Sequence, residues 1–345
     1  GFRLTSSGRL ELSSSKIVAQ GSVNVTSGNI ALTSTETGRA EITSAESGVT
    51  LAAQAGDIDL GQARLAGRIV ASDNLASSGG VTLSATGDIS ASKDGGRGAE
   101  LISDAGDLPN AQNASNVVLT ADGAINLAGL NVTSTDDLRV TAGGPVTFSD
   151  ASGEIGGDLR VFSNAGLGFA ASVLTAASDI RLEGSALRFG TQDPSEARTE
   201  LIATDGGFTM RAYSGDILNY GSLLQGKTTA SGDPDSLGGM TIIAAGDFLN
   251  RSLSVDRLAV AFGEEDDLHI ATDGDVRNAT GRIFSNAGIT IRTGGDILNE
   301  TLFTEDVAPL RVTRSKGSRF ASSLFLKRSH DTQVSADFGA QAIAG

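Results

Sequence analysis

The feature that most constrains the fold is repetition. Short segments open with Gly, alternate apolar and polar residues over four or five positions, and close in Thr, Ser or Ala. Gly8-Arg9-Leu10-Glu11-Leu12-Ser13-Ser14 is the first. Gly21-Ser22-Val23-Asn24-Val25-Thr26-Ser27 and Gly28-Asn29-Ile30-Ala31-Leu32-Thr33-Ser34 follow. A period of two places alternate side chains on opposite faces of a half-buried strand. Leu10, Leu12, Val23, Val25, Ile30 and Leu32 are therefore expected to point inward. Arg9, Glu11, Ser22 and Asn24 are expected to face solvent. No helical period is sustained anywhere.

A second element is the box Gly-Asp-apolar-x-Asn. It occurs at Gly215–Asn219, Gly246–Asn250, Gly274–Asn278 and Gly295–Asn299, at offsets of 31, 28 and 21 residues. Truncated forms stand at Gly56-Asp57-Ile58 and Gly87-Asp88-Ile89. The shortest offset matches one coil of a three-strand solenoid, and the longer ones match a coil with an inserted loop. In this reading Gly provides a positive-φ corner and Asp accepts backbone N–H bonds at the turn. The apolar residue enters the core. Asn shares its parity, so stacked coils would align Asn219, Asn250, Asn278 and Asn299 in an amide ladder.

These features predict an all-β fold: a right-handed parallel β-helix of roughly 20-residue coils with inserted loops. One coil buries too little to stand alone, whereas a stack shares one core. About fifteen coils at ~4.8 Å spacing would give a rod of roughly 70 Å. Breaks in the alternation at Lys93–Ser115, Thr191–Glu196 and Gly226–Leu237 mark the loops, and Pro109, Pro194 and Pro234 fall within them. The expected organisation is a repeat region over 1–302, an irregular basic loop or hairpin over 303–338, and resumed repeats over 339–345.

Composition narrows the function. With 26 Lys+Arg against 41 Asp+Glu the net charge is −15, which disfavours phosphate backbones, so no nucleic-acid partner is expected. There is no Cys and no Trp, and there are 2 His. Thiolate chemistry and Cys-based zinc sites are excluded. No run of apolar residues is long enough for a transmembrane helix, and the opening residues read as a strand and not as a leader. The chain is expected to be an internal piece of a longer protein.

The Gly-Asp-Ile-Leu-Asn boxes and Gly-x-Val-x-Val-Thr-Ser strands resemble the haemagglutinin-type repeats of filamentous haemagglutinin, of other large two-partner secretion exoproteins and of contact-dependent inhibition stalks. The likeness runs over residues 1–302 and is strongest in 200–302. It implies secretion to the surface of a Gram-negative bacterium, in association with the outer membrane, and a role as adhesin, biofilm filament or toxin-delivery stalk. The implied partners are an outer-membrane secretion transporter, receptors or glycans on host or neighbouring cells, and further copies or flanking repeats end to end. The family's N-terminal secretion domain is absent from the sequence given.

Some β-helices degrade polysaccharides, which takes converging carboxylates. The densest acidic run, Glu264-Glu265-Asp266-Asp267, reads as a solvated loop or a weak cation site. His269 reads as outward and solvated. The tail carries Arg311, Arg314, Lys316, Arg319, Lys327 and Arg328 without an acid between them, followed by His330. It reads as a basic projection able to meet anionic surfaces. Asn-x-Ser/Thr triplets begin at Asn24, Asn113, Asn131, Asn250, Asn278 and Asn299. No catalytic residue, no metal ligand and no cofactor is expected, and the expected role is that of a structural, adhesive rod.

Overall fold

A computed structural model describes residues 1–35, 38–68, 79–104, 115–229 and 236–301, with four two-residue strands beyond them. The chain divides into two units, Gly1–Glu300 and Thr301–Gly345. In the second, Thr313–Arg314 pairs antiparallel with Val334–Ser335, and Asp337–Phe338 with Gln341–Ala342.

The first unit is a parallel β-helix. Its opening coil supplies β1 (Phe2–Thr5), β2 (Arg9–Ser13) and β3 (Lys16–Ala19), one strand to each of three sheets. Every third strand thereafter joins the same sheet, giving sheets of 12, 12 and 11 strands. Each return to a parallel neighbour is a crossover, and such crossovers are right-handed. The twelve coils among the described residues span about 50 Å at ~4.8 Å per strand. That is fewer than the fifteen expected, because inserted loops use residues that the estimate gave to coils.

The basic step is 21 residues: Leu138 pairs with Leu159, and Leu159 with Ile180. Where loops intrude the step grows, to 32 from Val49 to Val81 and 36 from Val81 to Val117. Register survives these insertions because side-chain parity is strict: a one-residue slip would turn every core residue outward. Val23, Val25, Ile30 and Leu32 are fully or almost fully buried. Leu10 and Leu12, in the first coil, are partly buried and pack against the same core.

One row of the second sheet shows how the core is filled. It runs Leu127, Phe148, Phe169, Phe189, Asn219, Asn250, Asn278, Asn299. The three Phe rings stack, with centroids 4.9 and 5.7 Å apart and planes within 11°. Replacing Phe169 by Leu keeps the row apolar but breaks the stack. We expect a loss of about 1 kcal/mol in urea unfolding; a change of more than ~3 kcal/mol would mean the coil rearranges.

At coil nine the row turns to Asn, and the amide ladder forms as expected. Asn219 donates to Asn250, Asn250 to Asn278 and Asn278 to Asn299, each at 2.9 Å. Asn219 and Asn250 are fully buried.

The box glycines have a different role from the one expected. Positive φ occurs at the corner between the second and third sheets, at Ser14, Gly129, Asp150, Ala171, Gly221 and Thr280. Gly215, Gly246, Gly274 and Gly295, at the corner between the first and second sheets, have no positive φ. They are needed for space. The Asp of each box reaches along the axis to the backbone of the next coil. Asp216 Oδ1 accepts Asp247 N–H at 2.8 Å, Asp247 Oδ1 accepts Asp275 N–H at 2.7 Å, and Asp275 Oδ1 accepts Asp296 N–H at 2.8 Å. A Cβ on Gly246 would lie 2.2 Å from Asp216 Oδ1. Among the described residues no insertion falls at this corner.

Candidate functional site

The acidic run joins the third sheet to the first. Its four carboxylates take separate partners and do not converge. Gln225 Nε2 donates to Glu264 at 2.8 Å, and Lys227 lies 3.7 Å from Glu265. Asp266 accepts from the Thr229 hydroxyl and from the Asp267 amide. Asp267 accepts Gly288 N–H at 2.7 Å from the next coil. The Thr229 hydroxyl first, then the Asp267 amide, hold the Asp266 carboxyl below its usual range against the opposing effect of burial. The stability this gives is present above the ordinary value of 3.8 and is lost as pH falls through the lower folded value.

Lys227 ties three coils together, 3.2 Å from Asp205 on one side and facing Glu265 on the other. The hydrogen bond to Asp205, then the charges of Glu265 and Asp205, raise its pKa above the ordinary 10.5. Its contribution to stability is therefore complete below that value and is lost as pH rises through the folded value. In Lys227→Met the alkaline decline of the melting temperature should flatten relative to the parent. Parallel declines in the two proteins would show that the tie contributes nothing.

A depression of about 260 Å³ on the same edge is lined by Asp158, Asp179 and Asp205. These carboxylates also have structural work. Asp158 Oδ1 accepts Asp179 N–H at 3.1 Å and its other oxygen meets Arg160 at 2.6 Å. Asp179 accepts Gly207 N–H at 2.9 Å, and Asp205 meets Lys227. This is a second Asp-to-backbone ladder, begun by Asn116 and Asp137 at 3.0 and 2.8 Å. Among the described residues no group of three or more His, Asp or Glu could hold a metal ion.

His269 lies in the outward row with Thr241 and Thr290, its Nε2 3.8 Å from Asp267. His330, Asn113 and the basic tail lie outside the described residues, apart from Arg314 on its short strand. Of the Asn-x-Ser/Thr triplets, Asn24 and Asn131 are exposed. Asn250 is buried in the ladder, and Asn278 and Asn299 are bonded into it, so the ladder claims those three side chains for structure.

Sequence reading missed a trough of about 450 Å³ on the outer face of the first sheet. One row across it runs Arg211, Ile243, Ala271, Arg292. The apolar floor is thus flanked by guanidinium groups three strands apart, about 14 Å. Tyr213 and Asp273 line the same trough. Tyr213 is 45% exposed and lies 6.4 Å, centroid to centroid, from exposed Phe162. Its hydroxyl bonds to Glu183. Aromatic faces beside guanidinium and carboxylate groups suit shallow contact with hydroxyl-rich or anionic surfaces. The available signal was the switch of outward positions from charged residues to Ile243, Ala245 and Ala271.

Stacked coils in register, one continuous core and loops confined to two corners define a repeat protein of the parallel β-helix class. The chain belongs to the haemagglutinin-repeat family, whose profile matches residues 5–93, 96–148, 191–252 and 266–304. No curated protein and no solved structure matches the chain.

Proposed function

We propose that the chain is a rod segment of a large secreted surface protein of a Gram-negative bacterium, an adhesin or matrix filament that holds binding surfaces away from the cell. The observation that carries this reading is the unbroken core. Twelve coils keep register through every insertion, so the chain invests in length and stiffness and not in an enclosing cavity. The absence of Cys suits export as an unfolded chain through an outer-membrane transporter, since no disulfide would close loops beforehand. The trough of Arg211, Tyr213 and Arg292 supports an adhesive role. Shallow contacts of this kind are weak singly and gain strength through multivalency.

Beads coated with the purified chain test the adhesive part. Saturable adherence to epithelial or bacterial cells, competed by free chain and reduced in Arg211→Gln/Arg292→Gln, is the expected result. Adherence no better than that of albumin-coated beads would overturn it. Release of reducing ends or unsaturated sugars from acidic polysaccharides would replace the rod reading with an enzymatic one.

A further inference from the structure

The corner between the second and third sheets carries two clamps of one design, and in only one of them does the crossing arginine meet a carboxylate. In the first, Arg39 ends a loop of coil two and reaches across coil three to the loop of coil four. Its guanidinium donates to Gln62 O at 2.6 Å, Ala63 O at 3.3 Å and Gly98 O at 2.8 Å. It also meets Glu100 Oε1 at 2.8 Å, and Arg64 holds the other Glu100 oxygen at 3.2 Å. Every guanidinium nitrogen of Arg39 has an acceptor.

The second clamp repeats the plan in coils eight to ten. Arg198-Thr199-Glu200 stands where Arg39-Ala40-Glu41 stands, with Ala40 and Thr199 both buried and Glu41 and Glu200 each opening a third-sheet strand. Arg198 crosses coil nine to donate to Leu258 O at 3.1 Å, as Arg39 crosses coil three to Gly98 O. Arg257-Leu258-Ala259-Val260 matches Arg97-Gly98-Ala99-Glu100. Both loops close with the same antiparallel bridge, Asp94 to Arg97 and Ser254 to Arg257, and Ala99 and Ala259 are both fully buried. In the third-sheet row that faces the crossing arginine, three positions differ. Val260 replaces the Glu100 carboxylate and Leu223 replaces Arg64, while Arg282 follows in the row at the place of Asn131.

The second clamp lacks the Glu100 carboxylate and gathers Arg198, Arg257 and Arg282, with Glu200 as the acid that acts on Arg198. Arg257 is 8% exposed, with Nε and Nη2 buried and unpartnered, and Nε of Arg198 is in the same state. Arg97, its counterpart in the first clamp, is exposed. A buried guanidinium without acceptors is costly, and buried charges are normally paired. We propose that the second clamp is an oxyanion-binding site, in which a sulfate, phosphate or sugar carboxylate takes the place that Glu100 fills in the first. Arg198 and Arg257 would donate to it, with Arg282 adding charge. Burial, and then the positive charges of Arg257 and Arg282, lower the Arg198 pKa against the raising effect of Glu200. Above the clamp the loop from Gln192 to Ala197 is exposed, which gives the anion a route that leaves the core undisturbed. This inference does not depend on the adhesive role.

Sulfate is the first probe, measured by equilibrium dialysis of the full chain against labelled sulfate in chloride of matched ionic strength. The expected result is saturable binding at one ion per chain. Val260→Glu restores the built-in carboxylate and should weaken sulfate binding by about tenfold or more while leaving the far-UV spectrum unchanged. Arg257→Gln should also remove it, which keeps the test open if the Glu variant does not fold. Arg97→Gln, in the first clamp, should bind as the parent does. Displacement by glucuronate would identify a sugar carboxylate as a source; sulfate binding that glucuronate leaves intact would identify the free tetrahedral ion. No saturable binding, or equal binding by parent and Val260→Glu, would overturn the proposal.

Discussion

Replacing Asn250 by Ala should cost about 3 kcal/mol, among the largest losses available to a polar side chain in this fold. Its amide accepts from Asn219 and donates to Asn278, and the same nitrogen approaches the carbonyls of Ala259 and Arg282 at 3.3 and 3.2 Å. Truncation leaves Asn278 Oδ1 without its ladder donor. Asn219 Nδ2 keeps only longer contacts, to Ser222 O at 3.3 Å and Val260 O at 3.4 Å, while its Oδ1 still accepts Ser222 N–H at 3.0 Å. Each buried group left unsatisfied costs about 1–3 kcal/mol. Asn299→Ala, at the exposed end of the ladder, should cost less than about 1 kcal/mol. Asn250→Asp makes the sharper test. A buried carboxylate has its pKa raised in the folded state, so its stability is greatest below the unfolded value and declines as pH rises through the folded one. That variant should therefore recover on mild acidification, while Asn250→Ala should not. Urea midpoints with hydrogen exchange across residues 217–285 check both, because repeat arrays need not unfold in one step. Equal costs at Asn250 and Asn299 would reduce the ladder to ornament.

This ladder was legible in the sequence because parity is a local property. Asn219 stands two residues after Ile217, and Asn250 two after Phe248, so each must face the side its apolar neighbour faces. The same logic placed Val23, Val25, Ile30 and Leu32 in the core. What was not legible depends on neighbours one coil away. The partner of Asp216 lies 31 residues along the chain, and nothing within the box says whether Asp caps its own turn or the next coil. The outer trough was hidden for the same reason, since Arg211 and Arg292 meet only through three register steps, two of them lengthened by loops. The number of coils was overestimated because insertions such as 191–198 and 253–258 have the same Ser, Gly and Asp chemistry as corners. The two clamps could be compared only once the register had set Val260 and Glu100 in one row.

Gly246→Ala should be as damaging as loss of the ladder, about 3 kcal/mol, although it adds only a methyl group at a position with ordinary φ. That methyl carbon would sit 2.2 Å from Asp216 Oδ1, 2.9 Å from Gly215 C and 3.0 Å from Gly215 O. If Asp216 swings away, Asp247 N–H loses its 2.8 Å acceptor. If it stays, the coils must separate and strain their ladder hydrogen bonds. Asp216→Ala alone should cost about 1–2 kcal/mol through the lost charge-assisted bond. The double variant Asp216→Ala/Gly246→Ala should be less damaged than the sum of the two, because the first change removes the worst contact, while the Gly215 backbone still prevents full recovery. Gly166→Ala is the control: its nearest foreign atom would be 3.6 Å away, so the change should fall within about 1 kcal/mol of the parent. If Gly246→Ala behaves like Gly166→Ala, space is not why the box holds glycine. If the predicted order holds, Gly and Asp are one device split between successive coils: the carboxylate of one coil needs the missing side chain of the next. That coupling explains why the two residues recur as a pair and why no loop interrupts their corner.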